Sequence, residues 1–170
     1  MARLIVLSGL PGVGKTTFAR ALAAKTGAVL IRIDSIEQAL RAKPGQDIGP
    51  AGYLIGFGVA RDHLRKGRTV VADSVNPVPE SRDGWRRAAR DAEADIEEIE
   101  LVCSNMKEHK RRVETRVPDI EGLVPPRWKD VRKRDYRAWT DDVARIDTAS
   151  AAPDALVAAF LATSRTAAGA

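Results

Sequence analysis

The apolar positions of the chain fall into short runs that alternate with amphipathic, helix-forming segments. Aliphatic runs bounded by glycine, proline or charged residues are typical of buried strands, and we predict strands at Arg3–Ser8, Ala28–Ile33, Arg68–Asp73, Asp95–Cys103 and Val143–Asp147. Helix formers followed by glycine or proline predict helices between them, at Thr16–Lys25, Ser35–Ala42, Tyr53–Lys66, Glu80–Glu93, Asn105–Arg116, Trp128–Trp139 and Pro153–Ala162. These repeated strand–helix–strand units predict an α/β fold, in which helices cover both faces of a parallel sheet.

Composition supports one globular domain and excludes several classes of protein. Hydrophobic residues make up 44% and charged residues 30% of the 170 positions, which is close to the globular average. We predict a single domain over residues 1–165 and a frayed tail over 166–170. A single cysteine permits no internal disulfide and favours a cytoplasmic location. No segment approaches the roughly 20 apolar residues of a membrane span, so we expect no membrane part.

The segment after the first predicted strand carries the strongest chemical signal. Gly-Leu-Pro-Gly-Val-Gly-Lys-Thr-Thr matches G-x-x-x-x-G-K-[ST], the P-loop, between a strand and a helix. Glycines let successive backbone N–H groups point at phosphate oxygens, and the following helix adds its positive end. Lysine then spans the β- and γ-phosphates, and a threonine hydroxyl binds Mg²⁺. We therefore predict nucleotide binding by Gly9, Leu10, Pro11, Gly12, Val13, Gly14, Lys15, Thr16 and Thr17.

Two acidic residues end predicted strands, where ligands of parallel sheets bind. Asp73 follows Val70-Val71-Ala72, the Walker B pattern, and would hold Mg²⁺ together with Thr16; the alternative is that it caps the next turn. Asp34 would accept the proton of an attacking hydroxyl; the alternative is that Asp34 or Ser35 caps the following helix. The residues alone leave both pairs of interpretations open.

A basic stretch follows the fourth predicted strand. Lys107 to Arg137 holds 11 basic and six acidic residues, and its net charge equals that of the whole chain, +5. Arg112 and Arg116 are four residues apart and would share one helix face, which suits the charge of a transferring phosphoryl group. We predict a basic helical lid at about 104–126, with a solvated charged face as the alternative.

The remaining aromatic, histidine and cysteine side chains give weaker signals. Trp128, Tyr136 and Trp139 lie among basic residues and would either stack on a nucleic acid or form a buried helical stripe. His109 is predicted to be a solvated lid residue. Cys103 is predicted to be a small buried residue at a strand end.

These motifs together resemble a known family. Gly9–Thr17, Ile33–Ile36, Val71–Pro77 and Cys103–Arg116 resemble the AAA_33-type P-loop kinases, a group that includes polynucleotide kinase, chloramphenicol phosphotransferase and zeta-toxin relatives. The resemblance implies a three-layer α/β/α fold with a five-stranded parallel sheet of order 2-3-1-4-5. It also implies roles for individual residues: the general base is Asp34, the metal-site acid is Asp73, the catalytic lid arginines are Arg112 and Arg116, and substrate contacts come from Asp34, Ser74 and Asn76.

The expected function is an ATP-dependent phosphotransferase that uses Mg²⁺. It would move the γ-phosphate of ATP to a hydroxyl of a small molecule, a nucleoside or a nucleic-acid end. ATP and GTP both stay open as donors, because the chain has no guanine-specifying Asn-Lys-x-Asp motif. Two alternatives are a dedicated polynucleotide 5′-hydroxyl kinase and a regulatory nucleotide-binding ATPase without an acceptor. The sequence leaves the acceptor and the oligomeric state open.

Overall fold

The strands form one parallel sheet, as predicted. The structure, a computed structural model, describes residues 2–43, 46–139 and 143–167. Its strands are β1 (Arg3–Ser8), β2 (Val29–Arg32), β3 (Val70–Asp73), β4 (Asp95–Val102) and β5 (Ala144–Asp147). All neighbours pair in parallel, in the order β2-β3-β1-β4-β5. The predicted α/β class, the five strands and the strand order are confirmed.

The helices follow the predicted order, and several of their ends differ. They are α1 (Lys15–Thr26), α2 (Ile33–Leu40), α3 (Ala51–Arg65), α4 (Pro79–Arg90), α5 (Met106–Thr115), α6 (Trp128–Lys133) and α7 (Pro153–Ala167). Because α7 continues through Ala167, the predicted tail begins too early, and residues 168–170 of that tail lie outside the described residues. None of the described helices is long and apolar enough to cross a membrane.

Alternation along the strands divides the core between the two faces of the sheet, because successive side chains of a strand point to opposite sides. On one face, Ile5 and Leu7 of β1 pack with Phe18 of α1 and Phe160 of α7. The other face is formed by the alternate strand residues, which pack against α3 and α4, among them Leu4, Val6, Val70, Ala60, Leu64, Trp85 and Ala89. Helices therefore cover both faces, which gives the predicted three layers.

Two boundary predictions are wrong in ways that affect the site. Strand β2 ends at Arg32, so Asp34 lies in the first turn of α2 and does not end a strand. The N-cap of α2 is Arg32, which makes no side-chain cap bond, so neither Asp34 nor Ser35 caps this helix. Helix α6 ends at Lys133 instead of Trp139, so the expected helical stripe of aromatic residues does not form.

Candidate active site

The P-loop backbone adopts conformations and contacts that only glycine permits. Gly9, Gly12 and Gly14 have φ angles of 137°, 82° and 101°, in the region that disfavours residues with a side chain. A Cβ on Gly9 would lie 2.3 Å from the carbonyl oxygen of Leu101, and one on Gly12 would lie 2.4 Å from Cγ2 of Val113. The loop is therefore packed between β4 and α5, and it ends where α1 begins at Lys15.

Lys15, Thr16 and Asp73 form a buried polar cluster at the carboxyl ends of β1 and β3. The Lys15 Nζ donates to the carbonyl of Leu10 at 2.9 Å, and Thr16 Oγ1 donates to Asp73 Oδ2 at 2.6 Å. Burial lowers the pKa of Lys15, against the opposing charges of Asp73 and Asp34. Burial raises the pKa of Asp73, while Lys15 and the Thr16 hydrogen bond oppose that rise. Both pKa shifts follow from the desolvation of the charged forms in this cluster.

The donor set of this cluster suits Mg²⁺. Magnesium binds hard oxygen ligands and keeps several waters, with one or two carboxylates and the phosphates of a substrate. A hydroxyl and a carboxylate, those of Thr16 and Asp73, already lie within hydrogen-bond distance of each other. Beside them the Ser74 hydroxyl oxygen is buried without a hydrogen-bond partner, so it is a third oxygen free to contact a ligand or its water.

A cavity of about 660 Å³ opens above this cluster. The P-loop forms its floor through Pro11, Gly12, Gly14, Lys15, Thr16 and Thr17, whereas Gly9, Leu10 and Val13 of the predicted set do not line it. Asp34 of α2 lines the same cavity, and its negative charge acts on both Lys15 and Asp73. The structure therefore brings the predicted proton acceptor and the predicted phosphate ligand into one cavity.

Helix α2 lines the cavity with one polar face, which the sequence reading missed. Asp34, Glu37, Gln38 and Arg41 all line the cavity, and their spacing of three and four residues places them on the same side of the helix. Glu37 and Arg41 form an ion pair at 3.1 Å. Burial raises the pKa of Glu37, and Arg41 opposes the rise. The spacing of these polar residues, three and four positions apart, is the sequence signal from which this polar face could have been predicted.

Asn76 does not have the predicted substrate contact in this structure. Its side chain is fully buried, and Nδ2 donates to the Leu7 carbonyl at 3.2 Å and to Ser8 Oγ at 3.0 Å. Its Oδ1 accepts from the indole N–H of Trp85 at 2.9 Å. With donors and acceptor all used inside the protein, Asn76 fixes the turn after β3. Ser74, by contrast, lines the cavity as expected of a ligand contact.

Arg112 and Arg116 do not share a helix face, contrary to prediction. Helix α5 ends at Thr115, and Arg116 follows it in an extended conformation. Arg112 is bound by Glu108 Oε1 at 2.7 Å, by Thr148 Oγ1 at 2.9 Å and by the Thr148 carbonyl at 3.2 Å. Arg116 lines the main cavity and forms no hydrogen bond or ion pair with any described residue, and its charge opposes protonation of Lys15. Arg116 is thus the arginine available to a phosphoryl group.

The segment that follows α5 lines the cavity, and ion pairs hold it to other elements. Asp119 accepts from Arg32 Nη1 at 2.8 Å and from Nη2 at 3.2 Å, and it also pairs with Arg20 of α1. Arg32 Nε lies 3.6 Å from Asp73 Oδ2. Val117 and Val124 of the same segment line the cavity and are 85% and 74% exposed. The described contacts therefore tie this segment, which lies within the predicted lid, to α1 and to the end of β2.

Histidine and cysteine predictions near the site need correction. His109 is buried, its Nε2 lies 2.8 Å from the Pro11 carbonyl oxygen, and its ring packs edge-on against Trp128. It joins α5 to the P-loop and is not a solvated residue. Cys103 is only partly buried. Arg134, which the sequence reading did not assign, lines the main cavity from the residue after α6.

A second cavity of about 450 Å³ lies on the other side of the P-loop. Gly14, Thr17, Arg111 and Arg112 line both cavities, whereas Phe18 lines only the second. Its far wall comes from the turn after β5 and the start of α7, with Thr148, Ala151, Ala152, Pro153 and Leu156. A flat, largely apolar group attached to phosphates in the P-loop would have room here.

Comparison with known proteins identifies the family but not the acceptor. The family model AAA_33, described as an AAA domain, matches residues 4–133. Uncharacterized proteins of Mycobacterium bovis and Mycobacterium tuberculosis are 33% identical over 116 residues, which are 60% of this chain and 23% of each relative. The chain therefore spans about a quarter of the length of the curated relatives that it matches.

Solved structures share the fold at low sequence identity. A candidate kinase from Chloroflexus aurantiacus superposes with a TM-score of 0.74 at 19% identity, covering 97% of both chains. The APS kinase CysC of Mycobacterium tuberculosis, solved with AMPPNP and APS, gives a TM-score of 0.66 at 18% identity, covering 95% of this chain and 96% of that one. At these identities the likeness establishes the P-loop kinase fold alone.

Proposed function

The chain belongs to the AAA_33 family, and from that premise we propose that it is a Mg²⁺-dependent phosphotransferase that moves the γ-phosphate of ATP to a hydroxyl of a small molecule. The observation that carries the proposal is the single cavity that both Lys15 and Asp34 line, together with the Thr16–Asp73 pair. A phosphate-binding cation and a proton-accepting carboxylate in one cavity suit transfer between two bound substrates.

The reaction joins an acceptor oxygen to the γ-phosphorus of ATP. As that bond forms, the bond between the γ-phosphorus and the β–γ bridging oxygen breaks, and ADP leaves. The acceptor's hydroxyl proton passes to the Asp34 carboxylate. Lys15 and Arg116 hold the charge that spreads over the transferring group. The Thr16 hydroxyl and the Asp73 carboxylate would hold Mg²⁺, which would neutralise charge on the phosphates.

Each half of the molecule would take one substrate. The P-loop binds the phosphates of ATP, and the second cavity, between Arg112 and Pro153, takes the nucleoside. We assign Arg112 to the nucleotide, because Glu108 and Thr148 hold its guanidinium at that cavity. The acceptor binds in the main cavity against α2, where Asp34 and Ser74 are exposed to it.

Two observations favour a small acceptor over the end of a nucleic acid. The main cavity of about 660 Å³ lies within the range of small-molecule sites. The aromatic side chains that could have stacked on bases are already packed: Trp139 is buried with Arg82 4.0 Å from its ring centre, Tyr136 donates to Glu100, and Trp128 packs on His109. No stacking platform is left by these three residues.

Following the γ-phosphate tests the proposal. The protein is incubated with γ-labelled ATP, Mg²⁺ and a panel of hydroxyl acceptors, beside Asp34→Asn and a control, Asp62→Asn, which changes an exposed acid of α3 outside the cavity. We expect label on an acceptor with wild type and the control, and about a 10²- to 10⁴-fold slower transfer with Asp34→Asn while nucleotide binding persists. Phosphate release without any acceptor, equal in all three proteins, would support a regulatory ATPase instead.

A further inference from the structure

Arg134 is held at the cavity by a fixed backbone. Val131 anchors α6 as a buried residue, and the Arg134 N–H closes the helix on the Val131 carbonyl at 3.3 Å. Three residues later the Arg137 N–H donates to the Pro77 carbonyl at 2.8 Å, and Arg82 donates to the Ala138 carbonyl at 3.3 Å. The chain is thus fastened to the core on both sides of Arg134.

The guanidinium of Arg134 has no partner among the described residues. Other arginines of the same region are neutralised, such as Arg111 by Glu108 at 2.7 Å and Arg127 by Asp130 at 3.2 Å. Arg134 forms no hydrogen bond or ion pair with any described side chain, although it lines the main cavity. A guanidinium without a partner, carried at a cavity by an anchored backbone, is available to an anion, because its fork of donors matches carboxylate and phosphate oxygens.

The chain that follows Arg134 lies beside the turn after β3, next to α3. The Arg137 N–H donates to the carbonyl of Pro77 at 2.8 Å, and the N–H of the neighbouring Asn76 donates to the Tyr53 hydroxyl of α3 at 3.0 Å. The charge of Arg134 opposes the rise in pKa that burial causes at Glu37 of α2 and at Tyr53, and it adds to the lowering of the pKa of Lys15 by burial. Arg134 therefore lies where the P-loop, α2 and α3 meet, on the proposed acceptor side of the cavity.

Two of the acidic side chains that line the cavity are already ion-paired with other arginines of the described chain. On α2, Glu37 is paired with Arg41 at 3.1 Å, and Asp119 of the covering segment is taken by Arg32 and Arg20. Asp34 is the proton acceptor in the proposed reaction. The proposed acceptor side thus has the Asp34 carboxylate, which would accept the hydroxyl proton, and the Arg134 guanidinium, which has no ion pair with a described residue.

We propose that Arg134 is a positioning residue for the acceptor, and that the acceptor is a small hydroxyl compound which also carries an anionic group, a carboxylate or a phosphate. This inference rests on the proposed phosphotransferase function. Arg134 binds the anionic group while the hydroxyl faces Asp34, and the pair of contacts aligns the acceptor oxygen with the γ-phosphate. The residue contacts the acceptor and not the transferring group.

The test compares acceptors in matched pairs that differ in the anionic group. Sugar acids are paired with alditols of equal carbon number, and nucleoside 3′-monophosphates with the parent nucleosides, so that the two anion sources are separate arms. Each acceptor is assayed with γ-labelled ATP, and KM and kcat are measured with wild type, Arg134→Gln and Arg134→Lys. The control is Lys133→Gln, which removes an exposed neighbouring charge that does not line the cavity.

We expect one anionic arm to be phosphorylated at least about tenfold more efficiently than its neutral partner. Arg134→Gln should raise KM for that anionic acceptor by roughly 10- to 100-fold with kcat within about threefold, Arg134→Lys should recover part of the loss, and Lys133→Gln should match wild type. Equal use of both members of each pair, label on neutral acceptors only, or a kcat loss in Arg134→Gln common to both members, would overturn the inference and leave the kinase standing. Absence of label on every acceptor, with ATP hydrolysis unchanged by Asp34→Asn, would overturn the proposed function itself.

Discussion

Replacing Asn76 with alanine tests whether this residue supports the site from within the core. The variant leaves the fully buried Trp85 without an acceptor for its indole N–H, at a cost of about 1–3 kcal/mol. It also removes the Nδ2 hydrogen bonds to Leu7 and Ser8, each contributing about 0.5–1.5 kcal/mol. Alanine at the Asn76 φ of 50° adds roughly 1 kcal/mol of strain.

The expected loss for Asn76→Ala is therefore about 3–7 kcal/mol, a large share of the roughly 5–15 kcal/mol that stabilises a domain. Urea unfolding at 25 °C, followed by tryptophan fluorescence, measures it. The matched control is Asn105→Ala, which removes an exposed helix cap that accepts from the Glu108 N–H at 3.1 Å and should lose about 0.5–2 kcal/mol. A loss below about 0.5 kcal/mol for Asn76→Ala, with a raised KM for the acceptor, would refute this reasoning and restore the substrate contact.

Two further predictions concern the contacts between the P-loop, α5 and the covering segment. His109→Ala removes the hydrogen bond to Pro11 and should lower the free energy of unfolding by about 1–3 kcal/mol, measured by urea unfolding; an unchanged midpoint would contradict the buried contact. Asp119→Asn should speed amide hydrogen exchange over residues 116–126. The hydrogen bonds from Arg32 and Arg20 hold the pKa of Asp119 well below its usual range. The protection from exchange that Asp119 gives is therefore fully present above the ordinary pKa of aspartate, and it is lost as the pH falls from there through the lowered pKa. Equal exchange in Asp119→Asn and wild type at neutral pH would show that the ion pairs do not hold the segment.

The nucleotide half of the site is predictable from sequence because one continuous segment builds it. The spacing of the glycines predicts the positive φ angles of Gly9, Gly12 and Gly14. The strand before the loop and the helix after it determine the position of Lys15. Asp73 is equally accessible to prediction, because parallel strands end at one edge of a sheet. The alternation of Leu4 and Val6 with Ile5 and Leu7 likewise predicts a hydrophobic core on each face of the sheet.

The rest of the site is assembled by contacts between distant segments, and this explains where sequence reasoning failed. His109 was expected in solvent because its neighbours are charged, but the Pro11 carbonyl, 98 positions away, and the Trp128 ring bury it. Asn76 lies in a motif that suggests a ligand contact, yet its partners are Leu7, Ser8 and Trp85. A local sequence pattern shows which donors and acceptors a side chain carries. It does not show whether residues distant in the sequence already bind them.

Arg134 is a residue that lines the cavity although no local sequence pattern singles it out. In the sequence it is one of six basic residues between Arg127 and Arg137, and nothing local separates it from Lys133 or Arg132. What separates it is the end of α6 at Lys133, which turns the chain so that one arginine of the series lines the cavity. In the role that we propose for Arg134, the position where this short helix ends would contribute to the choice of acceptor. A change that extended α6 by one turn should therefore alter acceptor preference before it alters nucleotide binding.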